Sequence, residues 1–131
     1  TFTNFNVTNV TIGSIKRNGT TNAVLYNTTS DERLKENITT VTNALSMVNS
    51  MRGVFYDWTD VYLETIQFSP LFPKHDVGVI AQELRLVLPE LVAERQDGYL
   101  AVKYDRIVAL LIQSVKELKE EINELKKKHN G

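Results

Sequence analysis

Ser30-Asp31-Glu32-Arg33-Leu34-Lys35-Glu36-Asn37-Ile38 divides a chain of 131 residues into two differently composed parts. Before it lies a Thr- and Asn-rich segment with strand character; after it, a helix-and-strand region ends in a long charged helix. Within these nine residues a hydroxyl nucleophile and an amine base stand five positions apart. That is the pair a Ser-Lys dyad needs: a lysine relieved of its proton by partial burial takes the hydroxyl proton as the serine attacks a carbonyl. On an ideal helix five positions turn two side chains about 140° apart, so Ser30 and Lys35 would not meet. They meet if Ser30 lies in the turn before the helix and Lys35 reaches back from its first turn. The same residues also read as an ordinary helix start. Thr29-x-x-Glu32 fits a capping box, and Asp31 and Glu32 suit the positive end of a helix dipole. Spacing alone favours the cap.

Working upstream, Phe2, Phe5, Val7, Val10, Ile12 and Ile15 recur through the Thr/Asn background, partly at period two, so residues 1–29 read as β. Asn18-Gly19 is a turn signal, and Ala23 to Tyr26 resumes strand character beyond it. So short a β segment cannot bury a core alone and needs a partner surface. Its Asn-x-Thr triplets read as accidents of composition. The chain opens on Thr, not Met, and the reading expects a piece of something longer.

Working downstream, a helix is expected from Thr39 or Thr40, with Val41, Ala44, Leu45, Val48 and Met51 on one face and Gly53 at its end. Val54 to Trp58 reads as a strand. Residues 59–75 read as an irregular insert broken by Pro70 and Pro73, with Tyr62, Phe68 and Phe72 as its anchors. His75 to Leu84 leads into a short amphipathic helix that Pro89 helps to end. Gln82 and Glu83 read as solvated helix residues, with a polar role in a cleft as the alternative. Asp97-Gly98 marks a hairpin between Leu91–Glu94 and Leu100–Val102.

The last helix begins near Tyr104. Val108, Leu111, Val115, Leu118, Ile122 and Leu125 alternate steps of three and four, a coiled-coil seam with β-branched residues at a and leucine at d. Glu121 falls at g and Lys126 at the following e of a neighbouring helix, an attractive pair in a parallel assembly. A helix packed inside its own domain is the alternative. The seam runs on into Glu/Lys-rich sequence, which favours association.

The formal net charge of −1 supplies no basic field for nucleic acid or an anionic membrane, and no apolar run reaches the length of a membrane span. No signal-peptide pattern is expected at the start. With no cysteine there is no disulfide and no thiolate metal site. His75 and His129 are isolated, so no metal and no cofactor is expected.

The spaced motifs together resemble the self-cleaving intramolecular chaperone domain at the C-termini of bacteriophage endosialidases, tail spikes, tail fibres and neck appendages. They are Ser-Asp-x-Arg-Leu-Lys-x-Asn-Ile at Ser30 to Ile38, Gly-Val-Ile-Ala-Gln-Glu at Gly78 to Glu83, and Pro-Glu-Leu-Val at Pro89 to Val92. Tyr99-Leu100-Ala101-Val102-x-Tyr104 and the helix after it complete the set. The resemblance implies an α+β homotrimer. Residues 1–29 would be the end of a client β stalk, 30–103 the chaperone core and 104–131 the coiled-coil helix. It implies Ser30 as nucleophile, Lys35 as base and Thr29–Ser30 as the bond cut. It further implies a partner in the upstream stalk of the same polypeptide. The product would be a virion tail or appendage precursor, assembled in the host cytoplasm. A non-cleaving trimerisation tip and a coiled-coil adaptor are the rival readings.

Overall fold

A computed structural model describes residues 3–7, 10–17, 24–65 and 74–130. They gather into two compact units, Thr1–Thr40 and Val41–Gly131.

The first unit is built on three strands, β1 (Thr3–Val7), β2 (Val10–Arg17) and β3 (Val24–Thr28). They form an antiparallel meander in the order β1-β2-β3, with a register shift between Phe5 and Asn6. The expected turn at Asn18-Gly19 lies outside the described residues. After β3 the chain runs through Thr29, Ser30 and Asp31 into one turn of 3-10 helix, Glu32–Leu34. This is a correction to the expected helix start. The turn is a single revolution, and its cap is Asp31, not Thr29: the Asp31 carboxylate accepts from the Arg33 N–H at 2.9 Å.

The second unit opens with α1 (Ala44–Asn49), much shorter than the helix expected from Thr39. The delay has a local cause. Thr39, Thr40, Val41 and Thr42 are all β-branched and lose rotamer freedom in a helix. Asn43 then takes a left-handed conformation, φ 56°, which asparagine tolerates better than most residues. Its side chain makes no cap, and the first amides of α1 are instead met from far along the chain. Glu117 accepts from the N–H of Ala44 at 3.2 Å and of Leu45 at 2.6 Å. The helix stops at Asn49, before Gly53 is reached, so Gly53 is not its cap.

β4 (Val54–Asp57) pairs antiparallel with β5 (His75–Gly78), Val54 opposite Gly78. Between them, part of the expected irregular insert is the helix α2 (Asp60–Thr65). Thr59 starts it, accepting from Tyr62 N–H through its hydroxyl at 3.2 Å, and Leu63 is its buried residue. Tyr62 anchors as expected, its ring 4.7 Å from that of Trp58; Phe68, Phe72, Pro70 and Pro73 lie outside the described residues. Then come α3 (Ala81–Val87), a 3-10 turn over Pro89–Leu91, and the hairpin of β6 (Val92–Glu94) and β7 (Leu100–Val102). Gly98 turns that hairpin at φ 87°, the conformation that the Asp-Gly pair foretells.

α4 (Tyr104–Asn130) closes the chain, and at 27 residues it is about 40 Å long. Ala44, Leu84, Leu91 and Leu110 form the buried centre, ringed by Val41, Met47, Val48, Met51, Val79, Leu88, Val92, Val102 and Ile107. Ser114 is buried too, its hydroxyl donating to the Leu110 carbonyl at 2.8 Å. A first carbon added at Gly78 would stand 2.8 Å from the Tyr104 hydroxyl, so a larger residue there would push the Tyr104 side chain aside.

The cap from Glu117 supports a prediction. Two N–H hydrogen bonds accepted by one carboxylate are charge-assisted, and they tie α1 to α4. Glu117→Ala should destabilise the second unit by about 1–2 kcal/mol, and Glu117→Gln, which keeps an acceptor, by less. Urea midpoints of the three proteins would read this. Equal midpoints would mean that apolar packing alone holds α1.

Candidate functional site

Two features stand out on the folded chain: a polar turn in the first unit and an apolar stripe in the second. The turn comes first. Asp31 is extended (φ −68°, ψ 130°), Glu32 to Leu34 make the 3-10 turn, and Lys35 leaves it extended again (φ −117°, ψ 150°). Leu34 N–H donates to the Asp31 carbonyl and Lys35 N–H to the Glu32 carbonyl, both at 3.1 Å. A 3-10 turn advances about 120° per residue, and one revolution followed by an extended residue returns the chain over its own start. The Lys35 side chain thereby comes back on Ser30, with Nζ 2.6 Å from Oγ. As an ammonium the lysine donates to Oγ; as a neutral amine it accepts the hydroxyl proton.

The Thr29–Ser30 peptide bond follows directly on β3, and Thr29, Ser30 and every residue from Asp31 to Thr40 are exposed. The burial that the dyad chemistry calls for is therefore not supplied by the described residues of one chain. Asn37 adopts the left-handed conformation, φ 54°, and its place in the motif follows from that tolerance.

Residues 30–93 match the peptidase family described as chaperone of endosialidase. This stretch is an endosialidase-chaperone domain. Similar proteins are long tail fibre proteins Gp37. The one from Enterobacteria phage K3 is 37% identical over 105 residues, covering 76% of this chain and 8% of that protein. The one from Salmonella phage S16 is 33% identical over 112 residues, covering 77% and 14%. That of Enterobacteria phage M1 is 38% identical over 101 residues, covering 74% and 38%. The chain thus spans well under half the length of these curated relatives.

In the chaperone domain the Gly78 to Glu83 motif has structural duties. Glu83 is a helix residue as expected, about a third exposed, and it accepts hydrogen bonds from the Arg52 guanidinium through Nε and Nη2, both at 2.9 Å. That pairing holds the Glu83 carboxyl below and the Arg52 guanidinium above their ordinary ranges. Gln82 is exposed. His75 lies 2.8 Å from Asp57 and stacks on Phe55, and His129 is exposed near the end of α4. Among the described residues no His/Asp/Glu cluster is placed to hold a metal, and no helix is long and apolar enough to cross a membrane.

The stripe on α4 separates two jobs that periodicity alone leaves mixed. Ile107, Leu110, Ser114 and Glu117 face the chain's own core and α1. Val108, Leu111, Val115, Leu118, Ile122 and Leu125 remain exposed, from 44% at Ile122 to 66% at Val115, and Tyr104 and Ile112 extend them. The packed stripe and the heptad seam are thus different faces of one helix.

The reading of the sequence missed three partners. Asp31 as the cap had a signal, an aspartate two residues before an arginine in a turn. Thr59 had one too, preceding Asp60. Glu117 had none.

Proposed function

We propose that this chain is the folding module at the end of a phage tail-fibre or appendage protein. It trimerises along the α4 seam, templates the β stalk that precedes it, and then cuts itself free between Thr29 and Ser30. The observation that carries the proposal is the 2.6 Å approach of Lys35 Nζ to Ser30 Oγ beside an exposed bond at the end of a strand. The family match and the tail-fibre relatives support the setting in a virion tail; assembly of a tail precursor in the host cytoplasm is part of the proposal.

The chemistry balances without a cofactor. Lys35 takes the Ser30 hydroxyl proton as Oγ adds to the Thr29 carbonyl carbon. The carbon–nitrogen bond then breaks, the Ser30 nitrogen taking the proton back from Lys35, which leaves an ester between Thr29 and Oγ. Water hydrolyses the ester to a Thr29 carboxylate and restores the Ser30 hydroxyl. The pair meets within one chain, so each subunit cuts itself. Assembly contributes dehydration of an open site, which favours the neutral amine.

The purpose follows from polymer physics. Winding three chains together is slow and leaves strand edges unpaired on the way. A trimeric helix raises local chain concentration and sets the register. Scission then removes the template, so the stalk cannot readily reopen and its stability becomes kinetic.

A second reading, a non-cleaving trimerisation tip, draws on the exposure of both dyad residues. Mass spectrometry of freshly synthesised protein separates the two. Self-cleavage yields Thr1–Thr29 and Ser30–Gly131; a single intact mass after prolonged incubation as a trimer supports the tip.

A further inference from the structure

Beside the dyad stands a second pair. The Asp31 carboxylate accepts the Arg33 N–H at 2.9 Å, and it is clasped by the Arg33 side chain as well. Arg33 Nε lies 3.0 Å from Oδ1 and 3.3 Å from Oδ2, and Nη2 lies 2.8 Å from Oδ2. Both oxygens are thus engaged by one neighbour, in a turn where every residue is open to water.

This arrangement has two consequences for its surroundings. The first is geometric. With Asp31 held extended as the cap, the turn begins at Glu32, Ser30 stays outside it, and Lys35 falls where its side chain can return. Were the cap lost, nothing local would stop Ser30 and Asp31 from joining the turn, and the spacing of five would carry the two side chains apart. The second is electrostatic. The charged groups of Lys35's own turn are Asp31, Glu32, Arg33 and Glu36, all of them exposed. Of these, Asp31 adjoins the nucleophile. A carboxylate there with no partner is an obvious mate for the amine, and the bidentate fork of arginine is the better mate for it.

We propose that Asp31 and Arg33 are positioning residues for the Ser30–Lys35 dyad. Asp31 caps the turn that returns Lys35 to Ser30, and Arg33 occupies the carboxylate that would otherwise be free to pair with the Lys35 amine. The inference rests on the self-cleavage reading. Hydrogen bonds from Arg33 hold the Asp31 carboxyl below its ordinary range, so the clasp is fully present at and above ordinary carboxylate pKa values. It is lost only as the pH falls through that lowered value. It is therefore closed throughout the range in which an amine base works.

Four variants of the full chain test this, with scission at Thr29–Ser30 followed on gels between about pH 6 and pH 9, on either side of neutrality. Asp31→Ala removes the cap and should slow cutting about fivefold or more, the worth of a typical cap. Asp31→Asn keeps an acceptor for the Arg33 N–H and should recover most of that loss. Arg33→Met leaves the backbone cap intact but frees the carboxylate. Its rate profile should move to higher pH by about one unit, a roughly tenfold loss near neutrality. The double variant Asp31→Asn/Arg33→Met has no carboxylate to free, and its profile should move back. A merely structural role predicts slower cutting with an unmoved profile. An unshifted Arg33→Met profile therefore overturns the proposal, as does Asp31→Ala cutting at the parental rate. If the parent never cuts, or if Lys35→Ala cuts as fast as the parent, the dyad itself fails and the clasp with it.

Discussion

Lys35→Ala should abolish scission at Thr29–Ser30 while leaving the assembly intact. The substitution removes the only described group within hydrogen-bonding distance of Ser30 Oγ that can take its proton, at 2.6 Å, and a neutral serine hydroxyl is a weak nucleophile. General-base assistance is worth typically about 10²- to 10⁴-fold, so cutting should slow by at least that factor. Ser30→Ala should be equally inert, since it removes the nucleophile itself. Lys35→Arg is the more telling variant. It keeps the charge and the reach, but a guanidinium stays protonated at any workable pH and cannot serve as base. It should fail as completely as alanine. In the parent protein the rate should climb with pH, because only the neutral amine accepts the hydroxyl proton. Rate constants from timed gels, with sedimentation mass as the control for assembly, check all of this. If Lys35→Ala cuts as fast as the parent, Lys35 is no base and Ser30 is only the residue before a cap.

The second large effect belongs to α4. Leu118→Asp should convert the proposed homotrimer into single chains, as read by sedimentation. In the folded subunit Leu118 is 46% exposed and takes no part in the chain's own core, so aspartate there leaves the subunit's packing alone. In a three-stranded seam it would bring three carboxylates together away from water, at a cost of several kcal/mol or more for each uncompensated charge. Leu110→Ala makes the useful contrast. Leu110 is 1% exposed and faces inward, so its loss should destabilise the subunit by about 2–5 kcal/mol through the cavity left behind. Two leucines eight positions apart on one helix should thus fail in different ways. Ser30 and Lys35 already meet within one chain, so the Leu118→Asp monomer should cut slowly: it has the geometry and lacks the dehydration. A wild-type mass equal to one chain would end the trimer proposal.

Much of this was written locally in the chain. The Asp97-Gly98 hairpin, the start of α4 at Tyr104, the three-four seam and the strand at Val54 rest on turn chemistry and periodicity, which act over a few residues. Residue type marked Ser30 and Lys35 as a hydroxyl and an amine, while their spacing favoured a helix cap. The roles of nucleophile and base came from the family resemblance of the motif from Ser30 to Ile38. Whether they touch was a different matter. Five positions on an α-helix keep them apart, and the contact exists only because one 3-10 turn, capped by Asp31, replaces that helix. The seam's two possible uses were likewise inseparable by period, since both stripes repeat at nearly the same interval. Tertiary packing decided between them by covering Ile107, Leu110 and Ser114 and leaving Val108 to Leu125 open. The start of α1 shows the limit most plainly. Its capping carboxylate comes from Glu117, 73 residues from Ala44, and a bond between groups so distant in sequence leaves no local pattern at either end. Short-range preferences determined the elements and the chemistry of the candidate site; only long-range burial decided where α1 begins and which face of α4 is left exposed.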